Sequence, residues 1–163
     1  MLFRSDKREC YACKNVSDKV RLNSSSGGIF FEIAKDIINQ NGIVYGAAYV
    51  NKEVKHIGVN CMKDLLRLQG SKYVESSLHG ILSEVKNELN LNKKILFSGT
   101  PCQVAALYKY LGKEYDNLLT ISLICHGAPI KSIHDEYVKC LEKEYGDELI
   151  EIKFRNKRKN NEK

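Results

Sequence analysis

Along the 163-residue chain the spacing of apolar residues switches repeatedly between two periods. In "IFFEIAKDIINQ", Ile29, Phe30, Ile33, Ala34 and Ile37 recur at three- and four-residue intervals, which predicts a helix with one apolar face. "IVYGAAYV" and "EVKHIGV" are strand-type runs, and the short "NKE" between them predicts antiparallel pairing. "MKDLLRL" predicts a short helix, and Leu78, Leu82, Val85 and Leu89 mark another from Leu78 to about Leu89. The strand "KKILF" then leads into a helix carrying Val104, Leu107, Tyr108 and Leu111. A strand "NLLTISLI", a helix from about Ile130 to Tyr145 and a last strand "LIEIKF" follow, while "CYACKN" and "KVRL" read as short strands near the N-terminus. Alternating strands and helices predict an α/β fold: a layered, mixed and partly parallel sheet with flanking helices. Residues 1–152 form one predicted domain, and 153–163 a basic tail.

Composition narrows the class. A chain 43% hydrophobic and 28% charged is that of a soluble globular protein. No apolar run approaches the roughly 20 residues of a membrane helix, so no membrane span is expected. "MLFRSDKREC" has no apolar signal core, which implies a cytoplasmic protein. Six cysteines in that setting argue for metal or redox thiols rather than a disulfide framework. The net charge of +6 is concentrated in "KFRNKRKNNEK", from Lys153 to Lys163. The remaining body is nearly neutral, which excludes a nucleic-acid-binding surface, and the tail itself reads as a solvated terminus.

Four polar, glycine-bearing segments fall at element junctions: "SSSGG" at 24–28, "GSKY" at 70–73, "SGTPC" at 98–102 and "CHGAP" at 125–129. The last two follow consecutive predicted strands, at the edge where open α/β sheets bind ligands. Ser25, Ser26, Gly27 and Gly28 before a helix offer hydroxyls, close backbone approach and a positive dipole end, suited to a phosphate. A simple helix cap is the plainer reading of the same residues. Lys72 and Tyr73 read either as a phosphate and ring contact or as ordinary surface. Thr100 and Gln103 make a capping box with Pro101 at the first helical position. That puts Cys102 in the first turn, where free N–H groups favour a thiolate; the alternative is a small buried hydrophobe.

Cys125 is placed toward the same crevice, with His126 beside it as a candidate imidazole partner, although neighbours on an extended strand face opposite sides. His56, His79 and His134 read as structural or solvent-facing. Cys10 and Cys13 form C-x-x-C, a zinc or redox spacing. They lie in apparent strand, which would turn their sulfurs to opposite faces, so the pair reads as incidental. Cys61 and Cys140 read as packing or surface residues.

Taken together, "SSSGGIFFEIA", "NGIVYGAAYV", "LQGSKYVESSL", "ILFSGTPCQVAALYKYL", "NLLTISLICHGAP" and "FRNK" resemble the beta-subunit family of coenzyme F420 hydrogenases and dehydrogenases, in family order from Val20 to Asn156. The resemblance implies a flavoprotein oxidoreductase passing electrons between iron–sulfur centres, FAD (or FMN) and, in methanogen members, the deazaflavin F420. It assigns Cys102 and Cys125 to a [4Fe–4S] cluster. It assigns Ser25, Ser26, Gly27, Gly28, Gly70, Ser71, Lys72, Tyr73, Ser98, Gly99, Thr100, Pro101 and His126 to the flavin site. The implied partner is a ferredoxin-like or other iron–sulfur redox protein, with no nucleic acid; the oligomeric state is open. The family's N-terminal ferredoxin-like segment and its cysteine pair beyond "FRNK" have no counterpart here, so the cluster's ligand set is incomplete in this chain. Two rivals stand beside the redox reading: a non-catalytic remnant or assembly module that keeps the fold, and a thiol-dependent transferase using Cys102.

Overall fold

A computed structural model describes residues 9–155 and residue 157. The elements follow in the order α1 (Asp18–Asn23), α2 (Ile29–Asn39), β1 (Ile43–Val50), β2 (Glu53–Val59), α3 (Met62–Leu68), α4 (Ile81–Asn90), β3 (Ile95–Gly99), α5 (Pro101–Leu111), β4 (Leu118–Ser122) and α6 (Lys131–Tyr145).

Sheet order is β2-β1-β3-β4. β1 and β2 pair antiparallel from Val44↔Val59 to Val50↔Glu53. Their turn residues Asn51 and Lys52 both have positive φ, 51° and 63°, a conformation that matches the twist of a two-residue hairpin. β1 pairs parallel with β3, and β3 parallel with β4. The mixed, partly parallel α/β sheet anticipated from the pattern is therefore the one observed.

Each face of the sheet has its own core. Val44, Ala48 and Leu96 pack with Phe31, Ala34 and Ile37 of α2 and Leu65 and Leu68 of α3. On the other face, Tyr45, Ile95 and Phe97 pack with Val85 and Leu89 of α4 and Val104 and Leu107 of α5. All five residues of β3 are buried, as a strand covered on both faces requires. α6 is fastened to the β1–β2 hairpin by Lys131–Glu53 and Lys52–Glu142 ion pairs, 3.2 and 2.8 Å long. β4 is an edge strand, with Leu119 exposed and Leu123 exposed just beyond it.

Three predicted strands are not strands. "KVRL" lies in α1, whose start is fixed by Ser17, the Oγ of which accepts Val20 N–H, and by Asp18 in the first turn. "CYACKN" is irregular, because its end is anchored to a loop instead of a sheet: Asn15 N–H donates to Gly27 O at 2.7 Å. "LIEIKF" forms no ladder either; Leu149 N–H is taken by the Glu142 carboxylate. Of the basic tail, residues 156 and 158–163 lie outside the described residues.

Gly42 turns the chain from α2 into β1 with no room for a side chain. A Cβ there would sit 2.5 Å from Lys94 O and 2.8 Å from Ile37 O. Gly42→Ala is expected to destabilise the domain by about 2 kcal/mol, the scale of core overpacking, measured by urea unfolding. Wild-type stability in that variant would contradict the packing described for this corner.

Candidate functional site

Because β1, β3 and β4 run parallel, their carboxyl ends share one edge, and the loops after β3 and β4 leave from it. Leu123 N–H donates to Gly99 O at 2.9 Å, carrying the pairing one step past the strands. Segment 69–77 then crosses this edge and bonds to the 24–28 loop, to the start of α5 and to the loop after β4. Ser71 N–H donates to Ser25 Oγ at 2.6 Å, and Gln69 Nε2 to Ser24 Oγ at 3.3 Å. Glu75 N–H donates to Pro129 O at 2.9 Å. Gln103 Nε2 donates to Ser76 O at 3.2 Å. Ser77 bridges to β2 through His56 N–H and Val54 O. The four polar segments singled out in the sequence are thus tied together at one sheet edge.

At the centre of this network is His56, a residue whose sequence context marks it only as structural. It is buried, and its ring stacks on Phe97 with centroids 5.3 Å apart and planes 16° apart. Nε2 lies 3.0 Å from Ser98 O. A carbonyl only accepts, so Nε2 carries the hydrogen and Nδ1 accepts from the Ser76 hydroxyl. Burial holds the His56 pKa below its ordinary value, with the Ser98 bond opposing.

The anticipated binding residues have distinct fates. Gly27 does permit a close approach, but the approaching group is the chain's own: a Cβ there would meet Cys13 O at 2.6 Å. Gly28 has φ +80° and begins α2, whose amino end has no side-chain cap. Gly70 has φ +77° and faces open space, with Asn23 O 3.9 Å from a Cβ position. Lys72 Nζ donates to Arg67 O and Gln69 O, both at 2.9 Å, closing the end of α3. Burial lowers its pKa to about 8. Tyr73 is half exposed.

Ser98 and Gly99 end β3 buried. The Thr100–Gln103 capping box forms as expected, with Thr100 N–H donating to Gln103 Oε1 at 3.0 Å and Pro101 opening α5. Cys102 is exposed, 3.1 Å from Thr100 Oγ1, so it is not a buried hydrophobe. Cys125 is exposed too; its sulfur accepts from Gly127 N–H at 3.3 Å, and exposed His126 makes no bond to it. Cys10 and Cys13 are exposed in irregular chain, where the opposite-face argument from strand alternation has no purchase.

Two further anchors have no sequence signature. Buried Asn15 holds the N-terminal segment to the 24–28 loop through Gly27 O and through its amide to Glu32 Oε1 at 2.8 Å. Lys157, assigned to a solvated tail, instead donates to Arg21 O and Ser26 O at 3.1 and 2.8 Å. A lone lysine in a charged run carries no signal for either contact.

The implied cofactors fare differently. Among the described residues no three or more His, Cys, Asp or Glu side chains gather as a metal site. A [4Fe–4S] cluster normally takes four thiolates, so the residues present do not fit one, and no chemistry is derived through it. A flavin phosphate does fit. The uncapped α2 amino end and the open Gly70 leave backbone donors there, and Lys157 on Ser26 O adds positive charge beside them.

Comparison with known proteins agrees with the motifs at the second half of this edge. Residues 92–162 match the family model that describes the C terminus of the coenzyme F420 hydrogenase/dehydrogenase beta subunit. This segment, a little under half of the chain, is what resembles that family; the 24–28 and 70–73 loops lie outside the matched residues. Among solved structures, a chain of the F420-reducing [NiFe] hydrogenase complex from Methanosarcina barkeri, determined as a xenon derivative, is similar in fold. The TM-score is 0.59 at 15% identity, covering 77% of this chain and 47% of that one, so this chain spans about half its length. No curated protein matches the sequence. No helix among the described residues is long and apolar enough to cross a membrane.

Two outcomes follow for the site. Since the folded pKa of His56 lies below the unfolded value near 6.5, its contribution is complete above pH 6.5 and is lost as pH falls through the folded value. Urea unfolding is expected to give lower stability at pH 5.5 than at pH 7.5, with a smaller difference in His56→Gln; an equal difference would clear His56 of the effect. Anaerobic reconstitution of this chain alone is expected to leave iron and sulfide well below four per chain, and a stoichiometric, thiolate-bound cluster would overturn that expectation.

Proposed function

We propose that this chain is the flavin-binding core of an oxidoreductase subunit, relaying electrons between an iron–sulfur partner and a flavin or deazaflavin-type acceptor. The observation that carries the reading is segment 69–77, which hydrogen-bonds the 24–28, 98–103 and 125–129 regions into one edge. FAD or FMN would be held there. The amides at the start of α2, with Ser25 and Ser26, would take phosphate oxygens, and Lys157 would add positive charge beside them. Tyr73 would flank the ring, and Ser98 to Pro101 with His126 would border it. A bound flavin exchanges electrons in pairs or singly, which a relay between unlike partners needs.

The chain's own contribution is to orient that group and to fix one protonation pattern beneath it. Neutral His56 keeps Ser98 O occupied and Ser76 directed, so both ends of the crevice stay in register. Cys102 and Cys125 are exposed on the same edge as the two thiolates the motif assigns to a cluster. Its other ligands would come from groups outside the described residues. The partner is accordingly an iron–sulfur redox protein or subunit. A second reading, an assembly module that keeps the fold without cofactors, is favoured by that same shortage of donors. The flavin content of protein purified without oxygen separates the two, since the module would be colourless.

Ser26 is exposed and its side chain bonds to no neighbour among the described residues, so Ser26→Asp adds a carboxylate at the α2 amino end without disturbing packing. A single nearby like charge in partly screened surroundings is worth about tenfold in affinity. FAD affinity is expected to fall by about that factor, and riboflavin affinity far less, in fluorescence titrations. Equal losses for both ligands, or none, would remove the phosphate from this loop.

A further inference from the structure

Two polar residues outside the four loops, Tyr49 and His134, meet beside the edge. They lie where α6 packs on the hairpin end of β1. His134 is only 6% exposed, yet neither ring nitrogen has a hydrogen-bond partner among the described residues. The buried hydroxyl of Tyr49 beside it has none either, and the two rings are 5.8 Å apart. Leaving a buried polar group unpaired is costly, so two adjacent residues in this state mark a position built for an outside partner.

What covers them now is a ring that cannot hydrogen-bond. The centroid of Phe154 is 6.3 Å from each of Tyr49, His134 and Tyr73. Tyr73 belongs to the 70–73 loop, and three residues beyond Phe154 the Lys157 ammonium rests on Ser26 O of the 24–28 loop. Phe154 and Lys157 therefore set an aromatic ring in a cage and a polar end at the loop assigned to phosphate. Three extended residues reach at most roughly 10 Å, a span comparable to the ribityl chain that joins a flavin ring to its phosphate.

We propose that Tyr49, His134 and Tyr73 form a ring-binding cage, that Phe154 is its self-supplied occupant, and that the ligand it takes is a planar heteroaromatic with an alternating donor–acceptor edge. The inference rests on the flavin reading and places the ring end of that flavin. The chemistry of the cage sets the class. The Tyr49 hydroxyl offers a donor and an acceptor, and the two ring nitrogens of His134 offer further hydrogen-bonding atoms. Lys52, the cation whose charge acts on Tyr49, is already paired with Glu142 and Glu148 at 2.8 and 2.7 Å. Aromatic walls favour a flat ring over a sugar. Binding then exchanges Phe154 for a ring whose edge satisfies the orphaned atoms. No covalent or redox step is involved in the exchange.

The test uses two probes, lumichrome (the ring without ribityl or phosphate) and FAD, titrated by fluorescence quenching against wild type, Tyr49→Phe and Phe154→Ala. Tyr49→Phe removes only an atom that has no partner, so its melting temperature should equal or exceed wild type, and folding is not in question. Expected are a five- to tenfold weaker affinity for both probes in Tyr49→Phe, the scale of one hydrogen bond, and a tighter affinity for lumichrome in Phe154→Ala. If FAD binds wild type but neither variant changes either probe, the cage holds an ordered water at most; the inference falls while the phosphate-loop reading stands. If lumichrome binds with this pattern and FAD gains nothing from its phosphates, the cage stands and the loop reading falls. If neither probe binds wild type or Phe154→Ala, both are overturned.

Discussion

An imidazole with both nitrogens engaged and no charge is what the candidate site is hung on. His56 projects from β2, and its hydrogen bond ends on β3, with β1 lying between the two strands. The ring can cross because its cross-strand partner is Ala47, whose side chain is too small to stand in the way. Phe97 supplies the flat surface beneath it. The tautomer is then forced: Ser98 O demands a hydrogen on Nε2, which leaves Nδ1 to receive one from Ser76. Through Ser76 and Ser77 the ring fixes segment 69–77, and through that segment the loops at 24–28 and 125–129. Protonating the ring would add a donor against Ser76 and put a charge in a dry place, so the order of the whole edge depends on one neutral side chain.

How much of this is legible in the sequence varies with how local the cause is. Periodicity locates α2 to α6 and β1 to β4 because their apolar positions face cores on the two sides of the sheet. The capping box at Thr100 and Gln103 is readable because its cause lies within four residues. The failures have a different origin. "KVRL" is strand-like in composition, yet a serine cap and an aspartate in the first turn decide for helix. "CYACKN" and "LIEIKF" have strand alternation, but their backbone partners are Gly27 and Glu142 rather than a neighbouring strand. Asn15, His56 and Lys157 each act across long separations in sequence, and no local pattern distinguishes them from ordinary surface or core residues.

The site itself divides in the same manner. Its four segments are recognisable as glycine-bearing junctions, and their convergence follows from parallel strands that end on one edge. Their internal uses are not. Gly27 is small for the sake of Cys13 O, not for a ligand, and Lys72 closes a helix before it can meet anything else. A motif match names a position; the neighbours decide how much of that position is left over for chemistry. Here the α2 amino end and Gly70 are left over, while the α5 amino end is already occupied by its own capping residues.

β4 has a ladder partner on one side only, and past it the apolar residues Leu123 and Ile124 are turned to water. Unpaired strand edges are templates for further strands. What β4 offers to water is thus a row of backbone amides and carbonyls beside an apolar fringe, and hydrogen bonding along such a row responds to ionic strength far less than contacts between exposed charges do.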